Sequence, residues 1–274
     1  MAIEGEGKAS YHSVMRIVDA HAHIASWPTP KETEDTLLES LEKYSISYTI
    51  ISNADAAEFP SVGDHHPYLS TLEAAEEAVR FAREHPDKIG VAIWLRPYYE
   101  KEITPELRAF IAENRDLIKA LKFHPYDERM PVDDPSLIPY LELAKEIDLP
   151  VLVHTATDEE SRIEHLIEVA KRYPEVTFVA AHLELCSNNL HAIEAITPYP
   201  NIYCDTAWVP MDKAILAMDI LGSDRVIFGT DNPIDGVDTL GNPMYTDYLE
   251  NRLNLRGDLY EKLMEDNAAF VYKI

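Results

Sequence analysis

The chain has 274 residues, of which 46% are hydrophobic, enough for one large core. Its 24 basic and 49 acidic residues give a formal net charge of −25. This charge disfavours nucleic acid and anionic membrane surfaces as partners, because both repel a polyanion. A small anionic substrate is not excluded, because a metal ion and local Lys or Arg residues can reverse the potential inside a pocket.

Two features of the sequence favour a cytoplasmic protein. The cysteines, Cys186 and Cys204, form no C-x-x-C pair and no disulfide framework, as expected in a reducing compartment. Residues 1–13 are polar and acidic, so they do not resemble a secretory signal peptide. No apolar stretch approaches the ~18 residues that indicate a membrane span.

Short β-rich runs alternate with amphipathic helical stretches along the whole chain. The predicted strands are 16–21, 46–52, 88–95, 118–124, 150–154, 176–182, 201–205 and 225–231. The predicted helices are 33–44, 69–85, 104–115, 135–147, 158–173, 187–197, 211–221, 245–254 and 256–270. Strands that alternate with helices form right-handed parallel βαβ units, and eight such units close a barrel. We therefore predict a single-domain (β/α)8 TIM barrel of the α/β class over residues 1–274.

An open, doubly wound sheet is the competing α/β architecture. Its nucleotide-binding versions carry a Gly-rich turn after the first strand. Here the first strand is followed by H-A-H-I-A-S-W, and the whole chain holds only nine Gly. The barrel is therefore the better prediction.

Ionisable side chains occur at the carboxyl ends of six predicted strands, where barrel enzymes place their chemistry. These residues are His21, His23, Lys122, His124, His154, His182, Asp205 and Asp231. A single His or Asp at a strand end is commonly structural, as a hydrogen-bonded residue, turn or cap. Imidazoles and carboxylates gathered around one barrel axis are instead typical metal ligands, and His21 and His23 share one face of their strand. The pattern predicts a metal site.

Five short motifs connect the sequence to a known family. They are V-D-A-H-A-H at 18–23, K-F-H-P at 122–125, V-L-V-H at 151–154, A-A-H-L at 180–183 and F-G-T-D-N-P at 228–233. With them the chain resembles the amidohydrolase superfamily over nearly its whole length. The resemblance is to the amidohydrolase-related branch, which includes aminocarboxymuconate semialdehyde decarboxylase and related decarboxylases, hydratases and hydrolases.

The resemblance implies that His21, His23, His154 and Asp231 bind one divalent metal. Zinc is the expected ion, and Mn²⁺ or Fe²⁺ suits the same ligands. His182 is implied to be a catalytic acid/base in one-metal members and a ligand of the second ion in two-metal members. Asp231 is implied to take a proton from metal-bound water as well as to bind the metal. Homodimers are frequent among such relatives.

Lys122 separates two interpretations of the metal count. In two-metal members a lysine at this strand carries CO2 as a carbamate that bridges the ions. An unmodified Lys122 would instead be a cation suited to a substrate carboxylate. The K-F-H-P context is closer to the one-metal members, so we predict one ion.

Other residues near the predicted strand ends are candidate substrate contacts. Arg96 binds a substrate carboxylate or forms a surface ion pair. His124, Trp27 and Asp205 are predicted to contact substrate, with Asp205 alternatively orienting a ligand histidine. Trp27 and Trp208 form pocket walls or pack at the rim. His65 and His66 are interpreted as a surface pair, with a lid or substrate contact as the alternative.

Two further residues are assigned by side-chain parity along the strands. Asp19 shares the parity of the two histidines but lies deeper, so it is predicted to support the site rather than to bind the metal. Glu184 shares the parity of His182, so it either adds a carboxylate to the site or turns outward.

Three imidazoles and one carboxylate leave an open position on zinc, which is the catalytic pattern. The expected function is a hydrolase whose metal activates water for attack on a small, carboxylated substrate. A non-oxidative decarboxylase or hydratase on the same barrel is the alternative. A metal-dependent deoxyribonuclease barrel also begins with D-x-H-x-H, but it carries Glu where this chain has Lys122. A barrel that uses zinc only for stability would not need an open position.

Overall fold

Eight parallel strands form one sheet, in sequence order, in a computed structural model that describes residues 15–60 and 66–274. The strands are β1 (Val18–Ile24), β2 (Tyr48–Asn53), β3 (Ile89–Trp94), β4 (Ile118–Phe123), β5 (Val151–Ala156), β6 (Phe178–Leu185), β7 (Ile202–Asp205) and β8 (Val226–Ile227). The Ala20 amide donates to the Phe228 carbonyl and the His23 amide to the Asn232 carbonyl, both at 2.9 Å. These bonds join the segment after β8 to β1, so the predicted (β/α)8 barrel is confirmed.

Helices cover the outside of the sheet between consecutive strands. They are α1 (Pro30–Lys43), α2 (Thr71–Glu84), α3 (Pro105–Glu113), α4 (Pro125–Glu128), α5 (Ile138–Ile147), α6 (Ile163–Arg172), α7 (Leu190–Ile196), α8 (Met211–Leu221), α9 (Pro243–Leu249), α10 (Gly257–Glu261) and α11 (Asn267–Tyr272). Ser70 and Glu73 form a capping box at the start of α2, and the Thr104 hydroxyl caps α3. The polar residues before these helices therefore set where they begin.

The last strand and the last helix differ from the prediction. The strand expected over 225–231 pairs with β7 only at Val226–Ile227, because the following residues turn to bond β1. The helix expected over 256–270 is interrupted by a π-helical turn at Lys262–Asp266. The Phe228 amide donates to the Leu263 carbonyl within this turn, which ties the C-terminal helices to the end of β8.

Mostly small and aliphatic side chains fill the interior of the barrel, and this packing determines which residues reach the site. Ala92 on β3, Ala120 on β4 and Leu152 on β5 belong to the interior cluster. The residues two positions further along these strands are Trp94, Lys122 and His154. Because side chains alternate between faces, these three also face inward at the carboxyl ends of their strands.

Within residues 15–60 and 66–274, no helix is long and apolar enough to cross a bilayer. Cys204 is buried, Cys186 is exposed, and both are free thiols, as the sequence predicted. The prediction about a signal peptide concerns residues 1–13, which lie outside the described residues.

Candidate metal centre

Two histidines of β1 and the aspartate after β8 place three ligand atoms together. Asp231 Oδ1 lies 2.8 Å from His23 Nε2 and 3.2 Å from His21 Nε2. All three residues are buried, and they form one of the two groups of potential metal ligands in the described part of the chain. Two imidazoles and a carboxylate at these separations match the donor types of a divalent metal site.

Asp205 at the end of β7 orients His21. Its Oδ2 accepts a hydrogen bond from His21 Nδ1 at 2.8 Å, which leaves the Nε2 lone pair of His21 for a ligand. Its Oδ1 accepts the backbone N–H groups of His182 at 3.0 Å and Ala207 at 3.1 Å. The second group of potential ligands consists of His21, His182 and Asp205. Hydrogen bonds between Asp205 and the other two residues explain why these three lie close together. Asp205 is fully buried and does not line the cavity, so the position corresponds to the orienting alternative rather than to a substrate contact.

His23 is held by a residue that the sequence analysis missed. Ser52 Oγ on β2 lies 2.9 Å from His23 Nδ1, so the other ring nitrogen points to Asp231. Ser52 and His23 are direct partners in the β1–β2 ladder. Strand register, which a single sequence does not reveal, places the two side chains together.

Asp231 has a left-handed backbone conformation, with φ at 63°. Its amide donates to the His21 carbonyl at 2.7 Å, and the Trp208 indole N–H donates to Oδ2 at 2.8 Å. Burial opposes ionisation of Asp231, but His21 and His23 outweigh it and hold its pKa well below the usual value. Trp208, predicted as a wall or packing residue, therefore orients the carboxylate.

Six aromatic rings form a closed circle at the carboxyl end of the barrel, which we call the aromatic circle. Its members, in order, are His23, His21, His182, His154, His124 and Trp94. Neighbouring ring centroids are 3.8 to 6.1 Å apart, the shortest separation joining His154 to His124. Burial holds the pKa of both these imidazoles well below the usual value, so they are neutral at pH 7.

His154 takes part in the aromatic circle, yet it belongs to neither of the tight ligand groups found in the described residues. Its ring stacks on His124 and meets His182 edge-on at 4.8 Å. It lines the same cavity as His23 and Asp231. Its role as the fourth ligand stays a prediction.

His182 begins an unusual turn at the end of β6. Three consecutive residues, His182, Leu183 and Glu184, have φ values of 69°, 47° and 64°. The Asn189 side chain holds this turn by donating to the carbonyls of His182 at 3.1 Å and Leu183 at 3.0 Å. The turn breaks the strand alternation, so the parity argument for Glu184 fails. The Glu184 carboxylate turns away to His191, with Oε2 3.0 Å from Nδ1.

The His182 ring has one committed and one available nitrogen. Nδ1 donates to the Ala207 carbonyl at 3.0 Å, which leaves Nε2 as a proton acceptor. Burial lowers the pKa of His182 to about 4, so the ring is neutral at pH 7. The side chain does not itself line the cavity; of its two ring neighbours, His154 lines the cavity and His21 does not. Its predicted acid/base role therefore stays a prediction.

Lys122 lies under the site rather than on its surface. It is fully buried, and its Nζ donates to His21 Nε2 at 3.0 Å. Burial lowers its pKa to about 8. This hydrogen bond uses the same nitrogen that a metal would bind, so the two compete. Lys122 does not line the cavity, and its position therefore does not support direct contact with a substrate carboxylate.

A cavity of about 370 Å³ opens above the ligand atoms. Its walls include His23, Trp27, Trp94, His124, His154 and Asp231. Trp27 and His124 therefore line the cavity, and their contact with substrate stays a prediction. Trp94 was missed, although it ends β3 and obeys the same strand-end rule.

Arg96 does not line the cavity, whereas His66 does, so a substrate contact by His66 stays a prediction. Arg96 Nη1 donates to the Leu69 carbonyl and lies 3.7 Å from Glu100 Oε1, so this guanidinium is directed away from the cavity. His66 is buried, not a surface residue. Its Nε2 lies 2.9 Å from the Ala54 carbonyl and its Nδ1 accepts the Tyr68 amide at 2.9 Å. His65 lies outside the described residues.

The arrangement agrees with a match between residues 18–274 and the family model described as Amidohydrolase. The chain belongs to the amidohydrolase family. A search of curated proteins found no matching relative. The family match extends from the β1 histidines to the C-terminus and therefore includes every predicted ligand.

Solved structures with the same fold include three enzymes. The 5-carboxyvanillate decarboxylase of Novosphingobium aromaticivorans, complexed with manganese and 4-hydroxy-3-methoxy-5-nitrobenzoic acid, has a TM-score of 0.69 at 11% identity, covering 94% of this chain and 96% of its own. The 2,6-dihydroxybenzoate decarboxylase from Rhizobium has a TM-score of 0.68 at 16% identity, with coverages of 95% and 99%. The 4-oxalomesaconate hydratase of Rhodopseudomonas palustris has a TM-score of 0.67 at 18% identity, with coverages of 94% and 95%. At these identities the likeness shows the fold alone.

Asp205→Asn is expected to weaken metal binding by this amidohydrolase-family protein about 10–100-fold, because the orienting partner of a ligand histidine is altered. The asparagine can present an N–H group to His21 Nδ1 and so favour the wrong tautomer. Competition with a chromogenic chelator measures the metal affinity. Asp219→Asn, on the exposed face of α8, is the matched control. Equal affinities in the two variants would contradict the orienting role.

Asp19 supports the site from below, as predicted. Its Oδ1 accepts the amides of His21 at 3.2 Å and Thr230 at 3.0 Å, and its Oδ2 accepts the Thr230 hydroxyl at 2.5 Å. The residue is fully buried, and burial raises its pKa from 3.8 to about 7. The folded protein thus keeps this proton at pH values where the unfolded chain has released it.

Asp19→Asn is expected to become less destabilising as the pH rises. In the wild-type protein, the contribution of Asp19 to the free energy of unfolding is present below its unfolded pKa and is lost as the pH rises towards its folded pKa. The difference between variant and wild type should shift in favour of the variant by up to about 4 kcal/mol from pH 4 to pH 8. Urea unfolding in the presence of a chelator measures this shift, and a pH-independent difference would contradict the raised pKa.

Proposed function

We propose that this chain is a metal-dependent hydrolase of a small molecule, with His21, His23, Asp231 and His154 holding one divalent ion. The convergence of His21 Nε2 and His23 Nε2 on Asp231 Oδ1 at the base of the cavity carries the proposal. Zinc is the preferred ion for this donor set, and the manganese in the decarboxylase neighbour makes Mn²⁺ the first alternative. A cytoplasmic location and a homodimeric state belong to the same proposal and rest on the composition and the family.

The residues present fit a metal ion by the chemistry of their donors. Asp205 and Ser52 each engage the Nδ1 atom of a β1 histidine, so both histidines direct Nε2 to the same place. Such second contacts are typical of metal-binding histidines, because they fix the tautomer and the ring orientation. A divalent ion in such a site supplies Lewis acidity, which polarises a substrate carbonyl and makes water more acidic.

The chain itself supplies the groups that move protons. Asp231 is ionised and keeps its orientation through the Trp208 indole N–H, so its carboxylate can accept a proton from water near His23. His182 is neutral with a free Nε2, and it is the second group that can take up a proton and return it to a leaving group. The aromatic rings of Trp27, Trp94 and His124 line the cavity and limit the contact of water with a bound substrate.

A lyase is the second candidate function. Two of the three described neighbours are decarboxylases and the third is a hydratase, so the same barrel supports carbon–carbon or carbon–oxygen bond cleavage. Hydrolysis releases a proton and decarboxylation releases CO2, so these two products distinguish the two reactions. On a panel of cyclic imides, lactones and aromatic acids, stoichiometric proton release without CO2 supports the hydrolase, and CO2 release overturns it.

Metal analysis tests the proposed stoichiometry. One equivalent of metal per chain is expected, with activity lost on chelation and restored by Zn²⁺ or Mn²⁺. Two equivalents would contradict the one-ion proposal and would favour a carbamate on Lys122, whose Nζ already lies 3.0 Å from His21 Nε2.

A further inference from the structure

The charges around the cavity are all of one sign. Four aspartates line it, namely Asp55, Asp127, Asp231 and Asp235. No Lys or Arg of the described residues lines it. The segment 61–65, which follows the lining residue Pro60, reads S-V-G-D-H and contains neither cation type. Among the described residues, the cavity therefore has no lysine or arginine side chain with which to pair a substrate carboxylate.

Three cationic side chains at or just after the carboxyl ends of β3 and β4 are committed elsewhere. Lys122 is fully buried against His21, and Arg96 bonds the Leu69 carbonyl beside Glu100. Arg129 is exposed, with its guanidinium carbon 4.4 Å from the centre of the Phe59 ring. None of the three side chains lines the cavity. Recruiting one of them for an anionic substrate would break contacts that the fold already uses.

The walls of the cavity are flat. Trp94 and His124 lie parallel, with ring centroids 5.3 Å apart and planes at 7°. The Trp94 indole N–H donates to Glu128 Oε1 at 2.8 Å, which fixes the plane of the indole. Trp27 and Tyr126 contribute two more aromatic surfaces to the same cavity. Aromatic faces stack on planar rings and, having negative electrostatic potential above the ring, also attract cations, although the faces that Trp94 and His124 turn to each other are already stacked.

The carboxylates are placed to select a charge as well as a shape. Asp231 belongs to the proposed metal centre, where its negative charge cancels one of the two positive charges of a divalent ion. The other three carboxylates lie outside that centre, and their combined negative charge exceeds the one positive charge that remains. They are Asp55, Asp127 and Asp235. Like charge facing a ligand lowers both its rate of entry and its affinity. The Asp55 carboxylate is held in place by the Ser26 amide at 2.9 Å and the Ser26 hydroxyl at 2.6 Å.

We propose that the cavity selects planar ring substrates that are cationic or uncharged and rejects aromatic carboxylates. Asp127 and Asp235 are the residues that set this preference, Asp127 beside the His124 ring and Asp235 at the exposed rim. The inference rests on the proposed function, because it takes this cavity as the substrate site. It also departs from the carboxylated substrate expected from the sequence and from the benzoic acids bound by the decarboxylase neighbours.

Three nearly isosteric ligands test the charge preference, namely benzamidinium, benzamide and benzoate. Their affinities are measured by calorimetry on the metal-loaded protein at pH 8, above the pKa of Asp127, which burial raises to about 7. Tryptophan emission is a second readout, because Trp27 and Trp94 line the cavity and Trp208 bonds Asp231. We expect benzamidinium to bind at least tenfold more tightly than benzoate, with benzamide between them. Equal or tighter binding of benzoate overturns the inference.

Variants assign the preference to particular carboxylates. Asp127→Asn and Asp235→Asn are each expected to reduce the benzamidinium-to-benzoate affinity ratio severalfold, and Asp235→Lys is expected to reduce it further. Asp219→Asn, on the exposed face of α8, changes the net charge by the same one unit as the other two Asp→Asn variants and should leave the ratio unchanged. A ratio that the three variants of Asp127 and Asp235 all leave unchanged, or that Asp219→Asn alters as much as they do, overturns the assignment.

The outcome is separable from the proposed function. If the protein binds one metal ion and hydrolyses its substrate but prefers benzoate, the charge inference is wrong and the hydrolase stands. If the protein binds no metal but shows the expected order of affinities, the charge inference stands and the metal-dependent function is wrong.

Discussion

Asp231→Asn is expected to lower turnover about 10²–10⁴-fold, the range typical of losing a general base, and to weaken metal binding as well. The carboxylate is the only acidic group that contacts both β1 histidines in the described residues. Asparagine keeps the size of the side chain and can still accept the Trp208 indole N–H. The loss therefore reports on the negative charge rather than on packing.

The measurement combines metal content with steady-state kinetics at saturating metal. A variant that regains full metal content at high metal concentration but not its turnover separates the role of Asp231 as a base from its role as a ligand. Asp219→Asn is again the charge-matched control. Retention of both metal content and turnover by Asp231→Asn would refute the proposed site.

His182→Asn is expected to lower kcat about 10²–10⁴-fold while leaving one metal ion bound. Asparagine suits this position for two structural reasons. It tolerates the left-handed conformation at φ 69° better than most residues, and its amide can replace the Nδ1–H donor to the Ala207 carbonyl. The variant thus removes the titratable nitrogen with little effect on the turn at the end of β6.

The pH profile of kcat is the readout that a purely structural role of His182 would not change. Loss of one limb of the profile is expected, with KM little altered. His85→Asn, at the half-buried end of α2, controls for the removal of an imidazole. A fall in metal content from two equivalents to one would instead identify His182 as a ligand of a second ion. Unchanged kcat would mean that the ring only packs beneath the site.

The sequence predicts most of the barrel because the helical period of 3.6 residues and the strand period of two residues are both clear in its hydrophobic pattern. The β-rich runs and helical stretches alternate, and each of the eight predicted strands overlaps an observed one. Strand alternation also explains why Lys122 and His154 face inward, since Ala120 and Leu152 fill the barrel below them. The alternation of side chains along a strand was sufficient to predict which residues face inward wherever the strand stays regular to its end.

Parity fails where the backbone leaves the regular strand. The β1–β2 ladder shifts between Asp19 and Ala22, and the β5–β6 ladder shifts beyond His154. Three left-handed residues at the second shift turn Glu184 from the site to His191. Residues other than Gly adopt this conformation only when surrounding bonds enforce it, and those bonds come from distant parts of the chain.

The substrate contacts were the least predictable part of the site. Arg96 follows the end of β3 by two residues, and this short distance directs its guanidinium to Leu69 instead of the cavity. Trp94, the last residue of β3, occupies the wall in its place. Whether Trp94 or Arg96 lines the wall depends on where the strand ends. Hydrophobic patterns predict that end only to within a few residues.

The closure of the barrel has a consequence for how the protein matures. The bonds from Ala20 to Phe228 and from His23 to Asn232 form where the first strand meets the last, and His21, His23 and Asp231 lie along that seam. The two sides of the seam are separated by 208 residues in the chain, so they meet only after the intervening units have been ordered. An ion bound across the seam favours the closed barrel over any opened or incomplete form, because only the closed form brings its ligands together. A divalent ion at the proposed site would thus couple metal loading to completion of the fold, and a chain interrupted before the last strand would lack Asp231.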